Sequence, residues 1–339
     1  HIPKTAGASV INVLDSMFDD EEVAKAYNPP DYNHLGPALR RYRFVRGHFL
    51  AVQQAKFFPD REAFTIVRDP ADLAVSMYRW MRAYRPADWA EWSKDGRRIA
   101  SDDRGLEDDT ARATAIALER TLPELFAMGE RVIDERIKSI LVRSLSDDIF
   151  ADLDGQTARA TAWLHQCVAV GDFDDLQMAL WLICAARHWP APPPLPSIHV
   201  NATPSRADES IRRLSAQYSP ADHALYATGS GLASSAAVRL EAAAGGRMAI
   251  PAWLDRRHRE TYLANAPCLP VLELHALNAW PGTGWAARVV EPNGLAWRAI
   301  GPTGVATILA KLPPGLHYLF TLDLPRIDIE TAVDDLVVD

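Results

Sequence analysis

The segment HIPKTAGASVIN, residues 1–12, constrains this chain more than any other. Pro3, Lys4, Thr5, Ala6, Gly7, Ala8 and Ser9 form a loop of small residues that carries a cation and hydroxyls. Val10, Val13, Leu14, Met17 and Phe18 then recur at helical spacing, which predicts that the loop opens directly into a helix. Such a junction suits an anion. The first backbone N–H groups of a helix have no intrahelical partner, and the helix dipole favours negative charge there. Small residues let the backbone come close, Lys4 adds a point charge, and Thr5 and Ser9 add hydroxyl donors. The GxxxxGK[ST] spacing of a Walker loop is absent. Taken alone, the segment also reads as a Gly-containing turn that opens a helix.

A second stretch further along shifts that balance. Phe64, Thr65, Ile66 and Val67 are a short apolar, β-prone run, followed by Arg68-Asp69-Pro70 and then AVSMYRWMRAY at helical period. Asp69 suits an N-cap and Pro70 the first helical position, which puts Arg68 at the carboxyl end of a buried strand. Ser76 falls about two turns into the following helix, within reach of the same anion. Between the two stretches, Arg43, Phe44, Val45 and Arg46 read as a strand that delivers His48 at its own carboxyl end. Converging carboxyl ends of strands form the ligand rim of an open α/β sheet. Surface ion pairing of Arg68 and a structural role for His48 are the plainer alternatives.

Together the motifs PKTAGAS (residues 3–9) and RDPADLAVSMY (residues 68–78) resemble those of the sulfotransferases that use 3′-phosphoadenosine 5′-phosphosulfate. The likeness is to the membrane-type, carbohydrate-modifying branch with bacterial relatives. It implies that Pro3, Lys4, Thr5, Ala6, Gly7, Ala8 and Ser9 hold the 5′-phosphosulfate, and that Arg68 and Ser76 hold the 3′-phosphate. It also makes His48 a candidate general base, because the family often has an RGH-F element before its RDP strand. Arg206, in a VN-S/T-x-R-like loop, is a further candidate for the 3′-phosphate. This chain departs from the pattern at Ala6 and Ala8, where Gly and Thr are commoner, and at Leu73, where an Arg is usual. The resemblance covers roughly residues 1–230. A strand is expected to precede the first loop, of which His1-Ile2-Pro3 supply only the last residues, and both ends of the chain read as incomplete.

The implied fold is α/β: a P-loop-like, doubly wound parallel sheet with flanking helices over residues 1–230. A helical linker (231–265) and a partial all-β, sandwich-like module (266–339) are expected to follow. The last of these rests on short alternating runs broken by Pro and Gly, with Gly282-Thr283-Gly284-Trp285, Glu291 and Trp297 resembling small accessory sandwiches of polysaccharide-modifying proteins. Helical periodicity is read over 110–145, 154–168, 172–187 and through Ile211 to Tyr226, with 101–112 as an acidic solvated loop and 19–40 as a loop with a short helix.

Composition bounds the partners. A net charge of −8 gives no support to nucleic-acid or anionic-membrane binding. Cys167, Cys184 and Cys268 are widely spaced and form no CxxC, which fits a reducing compartment and makes the cytoplasm the expected location. There is no zinc-type cluster and no apolar run of membrane-spanning length, so neither a metal nor a membrane segment is expected. Trp80, Trp89 and Trp92 stand among Arg79, Arg82 and Arg85, a mixture that suits an acidic-sugar acceptor, although core packing is the simpler role for Trp80. Arg143 is a weaker acceptor candidate, with a surface salt bridge as its alternative.

In this reading sulfuryl transfer proceeds by in-line displacement onto a saccharide hydroxyl. Lys4 offsets charge on the leaving phosphate and His48 accepts the acceptor's proton. Three other readings remain open: a catalytically inactive carbohydrate-binding or assembly protein, a nucleotide kinase, and a glycosyltransferase. The missing Walker spacing weighs against a kinase, and the lack of a DxD-like site weighs against a glycosyltransferase.

Overall fold

A computed structural model describes residues 2–5, 7–18, 22–25, 36–47, 50–83, 104–148, 150–195 and 206–266, with short paired strands beyond them. These residues are mainly helical, with a small set of parallel strands, and the fold is therefore α/β. Helix α1 (Gly7–Asp15) buries Val10, Val13 and Leu14, as the periodicity predicts. Strand β1 (Val23–Lys25) pairs in parallel with β2 (Phe44–Arg46), Val23 opposite Phe44. Helix α2 (Ala51–Phe57) leads to β3 (Phe64–Val67), which pairs in parallel with β4 (Ala169–Asp172), Phe64 opposite Ala169. The expected strands at 44–46 and 64–67 are thus present, whereas β1 and β4 stand where the sequence suggested only connecting chain.

Helix α3 (Pro70–Ala83) begins as its cap residues predict: Asp69 Oδ1 accepts from the Asp72 N–H at 3.0 Å, and Pro70 takes the first turn. The acidic stretch expected as a loop is helical from Arg104 onward in α4 (Arg104–Glu119). The periodic run to 145 is broken into α5 (Leu122–Ala127), a short turn at Arg131–Ile133, a π-type turn over Asp134–Lys138 and α6 (Ile140–Leu145). Pro123 inside the first turn of α5 and the Glu124 carboxylate accepting from the Thr121 N–H at 2.7 Å reset the helix there.

Helices α7 (Leu153–Gln166) and α8 (Leu176–Arg187) bracket β4. Gly171 of β4 lets α8 lie directly on the strand, since an added Cβ would stand 2.3 Å from that of Ala179. Helices α9 (Glu209–Tyr218) and α10 (Pro220–Ala244) follow, and α10 crosses β3 at Gly229, where a Cβ would meet Val67 at 2.9 Å. The domain boundary expected at 230 therefore falls inside one continuous helix. The stretch expected as a linker packs instead: Leu240 of α10 and Ile250 and Leu254 of α11 (Ile250–Asn265) share a core with Met178, Leu182 and Ile183 of α8. Buried apolar surface, which a free linker would lack, holds them there.

Beyond residue 266 only two antiparallel pairs are described, β5 (Gly282–Thr283) with β8 (Thr307–Ile308) and β6 (Val289–Val290) with β7 (Ala296–Trp297). These two pairs do not establish the expected sandwich, and the other stretches expected as strands lie outside the described residues.

One buried carboxylate locks the helical layer. Asp222 of α10 is 1% exposed and accepts from the backbone N–H groups of Leu141 and Val142 at 3.0 and 2.9 Å, capping α6 across the core. Burial pushes its carboxyl up to about 7, against the pull of these donors. Because its folded value lies above its unfolded one, the stabilisation is complete below about pH 4 and is lost as pH rises through 7. Asp222→Ala should cost about 2–5 kcal/mol by leaving buried N–H groups unpaired. Denaturant melts from pH 4.5 to 8 should show a pH dependence in the native protein that Asp222→Asn removes. Parallel curves for the two would show that Asp222 does not titrate in this window.

Candidate functional site

The first loop, the end of β3 and the end of β4 meet at one rim. Lys4 has a left-handed backbone (φ 65°), which costs a non-glycine residue about 1–2 kcal/mol. Two hydrogen bonds brace it: Thr5 Oγ1 donates to the Ile2 carbonyl, and Arg68 Nη1 donates to the Lys4 carbonyl, each at 2.8 Å. Arg68 follows directly on β3, and its guanidinium carbon lies 4.0 Å from the ring centroid of Phe173, which follows directly on β4. Phe173 owes this position to register. Val67 stands opposite Asp172, so the next residue of each strand meets the other.

Two cationic side chains share this partly buried rim. Burial and then the neighbouring Arg68 hold the Lys4 ammonium below its usual pKa. The Arg68 guanidinium is likewise held below its ordinary value, by burial first, with Asp72 opposing and Arg206 adding to the shift. Two cations held together in a partly desolvated rim favour a negative partner. Gly7 opens α1 three residues after Lys4, and Ser9 lies half-buried in its first turn. Pro3 is half-buried in the loop. Ala6, the side chain of Ala8 and the whole of His48 lie outside the described residues, although Gly47, directly before His48, is buried.

On α3, Ser76 is 7% exposed and lies on the buried side of the helix. Leu73, at the position where an Arg was the commoner residue, is 1% exposed and part of the main core with Val67 and Leu141. Its side chain therefore serves packing. Asp72, also 1% exposed, accepts from Arg206 Nη1 at 2.8 Å, from the Ala207 N–H at 2.8 Å and from Arg212 Nη2 at 3.0 Å. Arg206 Nη2 reaches Asp174 at 2.8 Å, and these bonds to Asp174 and Asp72 raise its pKa. The guanidinium expected to meet a 3′-phosphate thus clasps the chain before α9 to α3 and to the end of β4.

The acceptor candidates are not brought together. Trp80 packs half-buried against the main core, and exposed Arg82 donates to the Tyr78 hydroxyl at 2.7 Å. Arg143 pairs with Glu135 at 2.7 Å across the π-type turn, the salt-bridge alternative of the sequence reading. Trp89, Trp92 and Arg85 lie outside the described residues.

Sequence reasoning missed Phe173 and Asp72. The signal for Phe173 was Gly171-Asp172-Phe173, at the junction of the helical stretches expected over 154–168 and 172–187. It is a strand end, with Asp172 accepting from Ser230 at 2.6 Å. Burial raises the thiol pKa of Cys167 to about 12 and that of Cys184 still further, so neither is a reactive nucleophile. Among the described residues no group of three His, Cys, Asp or Glu side chains is placed to hold a metal ion, and no helix is long and apolar enough to cross a membrane. Comparison with known protein families, curated proteins and solved structures finds no match to this chain.

Proposed function

We propose that this chain is a sulfotransferase that moves a sulfuryl group from 3′-phosphoadenosine 5′-phosphosulfate to a saccharide hydroxyl. The observation that carries the reading is the Lys4–Arg68 junction, where Arg68 holds the Lys4 carbonyl at the end of β3 and, after burial, helps to depress the Lys4 pKa. The doubly wound, P-loop-like sheet and the C-terminal β module belong to the same reading. Parallel pairs β1–β2 and β3–β4, with helices between their strands, support the sheet.

In this reading Lys4 and the α1 N-terminus face the 5′-phosphosulfate, Lys4 at the oxygen that becomes the leaving group. Arg68, steadied by Phe173 and by the Lys4 carbonyl, faces the 3′-phosphate with Ser76. His48 takes the proton of the acceptor hydroxyl. Positioning and charge stabilisation supply the rate, as in phosphoryl transfer.

The rival reading, a carbohydrate-binding or assembly protein with an inactive domain, draws on the commitment of Arg206 to carboxylates. Transfer of labelled sulfuryl from the donor to a glycan panel decides between them. Turnover supports the enzyme, whereas binding of 3′-phosphoadenosine 5′-phosphate without turnover supports the rival.

Arg68→Ala should raise the donor KM and weaken the desulfated product by a similar factor, about 10-fold or more, because a remote phosphate is bound alike in the ground and transition states. Ser76→Ala should act in the same direction. Both variants should lose discrimination against adenosine 5′-phosphosulfate, which lacks the 3′-phosphate. Undiminished discrimination would remove Arg68 and Ser76 from that role.

A further inference from the structure

Strand β4 ends in a turn that is fixed from both sides. Asp172 Oδ1 accepts the Asp174 N–H at 3.0 Å and so caps the single 3-10 turn Phe173–Asp175. The other oxygen of Asp172 accepts the Ser230 hydroxyl of α10 at 2.6 Å and the Tyr226 hydroxyl at 3.3 Å. At the far end, Asp175 Oδ1 accepts the Met178 N–H at 3.1 Å and caps α8. The turn between these anchors meets two arginines in two different ways. Asp174 meets Arg206 with a carboxylate, 2.8 Å from Nη2. Phe173 meets Arg68 with a ring, whose centroid lies 4.0 Å from the guanidinium carbon. The two partners act differently on the cation. A carboxylate orients a guanidinium and offsets its charge, whereas an aromatic face orients it through the ring quadrupole and carries no net charge.

We propose that Phe173 is a positioning residue for Arg68, holding its guanidinium in one orientation at the rim for an oxyanion of phosphate type. The ring contacts the carbon of the planar group, and the Lys4 carbonyl accepts from its Nη1 at 2.8 Å. A fork held at two points loses little freedom when an anion arrives, and a side chain ordered in advance binds more tightly than one ordered on arrival. Phe173 itself is placed by other contacts. It is half-buried against the core that contains Val10, Ile66 and Leu180, and it follows directly on the register of β3 with β4. The carboxylates of Asp72, Asp174 and Asp69 also act on Arg68, each favouring its charged form. Without the ring they would compete with an arriving anion for a side chain that is no longer held. Naming that anion as the donor's 3′-phosphate rests on the sulfotransferase reading, whereas the positioning of Arg68 does not.

The test uses the full chain with isotope-labelled arginine, observed by nuclear magnetic resonance, with Arg68→Lys to identify the Arg68 signals. Phe173→Leu keeps an apolar side chain at the site, and Phe173→Tyr keeps a ring. In the native protein the Arg68 side-chain signals should be displaced upfield by the ring current, and inorganic phosphate should shift them saturably. Phe173→Leu should lose the displacement and weaken phosphate by about 5–30-fold, the size expected of one cation–ring contact, and Phe173→Tyr should restore both. A ring with a purely structural role would lower the melting temperature of Phe173→Leu and leave phosphate affinity unchanged. Equal phosphate affinity in native and Phe173→Leu protein, or no phosphate shift at Arg68 in the native protein, overturns the proposal. A second measurement needs no variant that must fold. Hindered rotation of the held guanidinium should resolve the two Arg68 Nη groups before phosphate is added, and a single averaged signal refutes the positioning. Titration with 3′-phosphoadenosine 5′-phosphate and adenosine 5′-phosphate separates the two readings. Phosphate binding at Arg68 without preference for the 3′-phosphorylated nucleotide keeps the role of Phe173 and counts against the sulfotransferase.

Discussion

Lys4→Ala should lower kcat by about 10²–10³ while weakening binding of the desulfated donor far less. Its ammonium stands beside Arg68 in a partly buried rim that already holds its pKa down. Charge building on a leaving phosphate oxygen there would meet a cation poorly screened by water, and the attraction grows as the bond breaks. Lys4→Arg is the informative companion. The left-handed backbone is retained, but a planar fork replaces a point charge, so binding should survive better than turnover. Single-turnover rates and product affinity, measured on both variants, check the expectation. An unchanged kcat in Lys4→Ala would remove the residue from the chemistry. A loss of binding as large as the loss of rate would make it an anchor for the donor.

His48→Ala should cost about 10²–10⁴ in rate, the usual contribution of a general base. The expectation rests on chain position, two residues beyond the end of β2 and directly after buried Gly47. Donor affinity should scarcely change, because a general base acts on the acceptor hydroxyl. The native kcat profile should fall on its acid side near the ordinary histidine range, and that limb should vanish in the variant. A histidine with a purely structural role would lower melting temperature and donor affinity together. Near-normal turnover in a folded, donor-binding His48→Ala protein would sink the assignment.

What could be read from the chain was what is local. Asp69 and Pro70 announce α3 because capping depends on neighbours within one turn, and Phe64–Val67 announces β3 because a strand buried on both faces is uniformly apolar. The opening of α1 was legible for the same reason. A cation and small residues sit directly before a periodic run. The rest depended on register and on distant partners. Ala169–Asp172 is short and contains a glycine, which resembles a turn until Ala179 is seen lying against it. Arg206 carries no local sign that a buried Asp72 awaits it, so a resemblance assigned it to a phosphate. Leu73 seemed a lost charge and is a core residue. The same non-locality hid the continuity of α10, whose Gly229 and Gly231 look like a break but sit within an unbroken helix.

The pairing of β3 with β4 has a consequence during synthesis. Phe64 must wait for Ala169, and everything between them leaves the ribosome first. At about 5–20 residues per second, an apolar strand edge stays without its partner for on the order of 5–20 s. Parallel strands cannot shorten that delay by forming a hairpin. The nascent chain thus spends seconds with Phe64–Val67 open to other strands, and a chaperone that shields extended apolar segments would find its substrate in that interval.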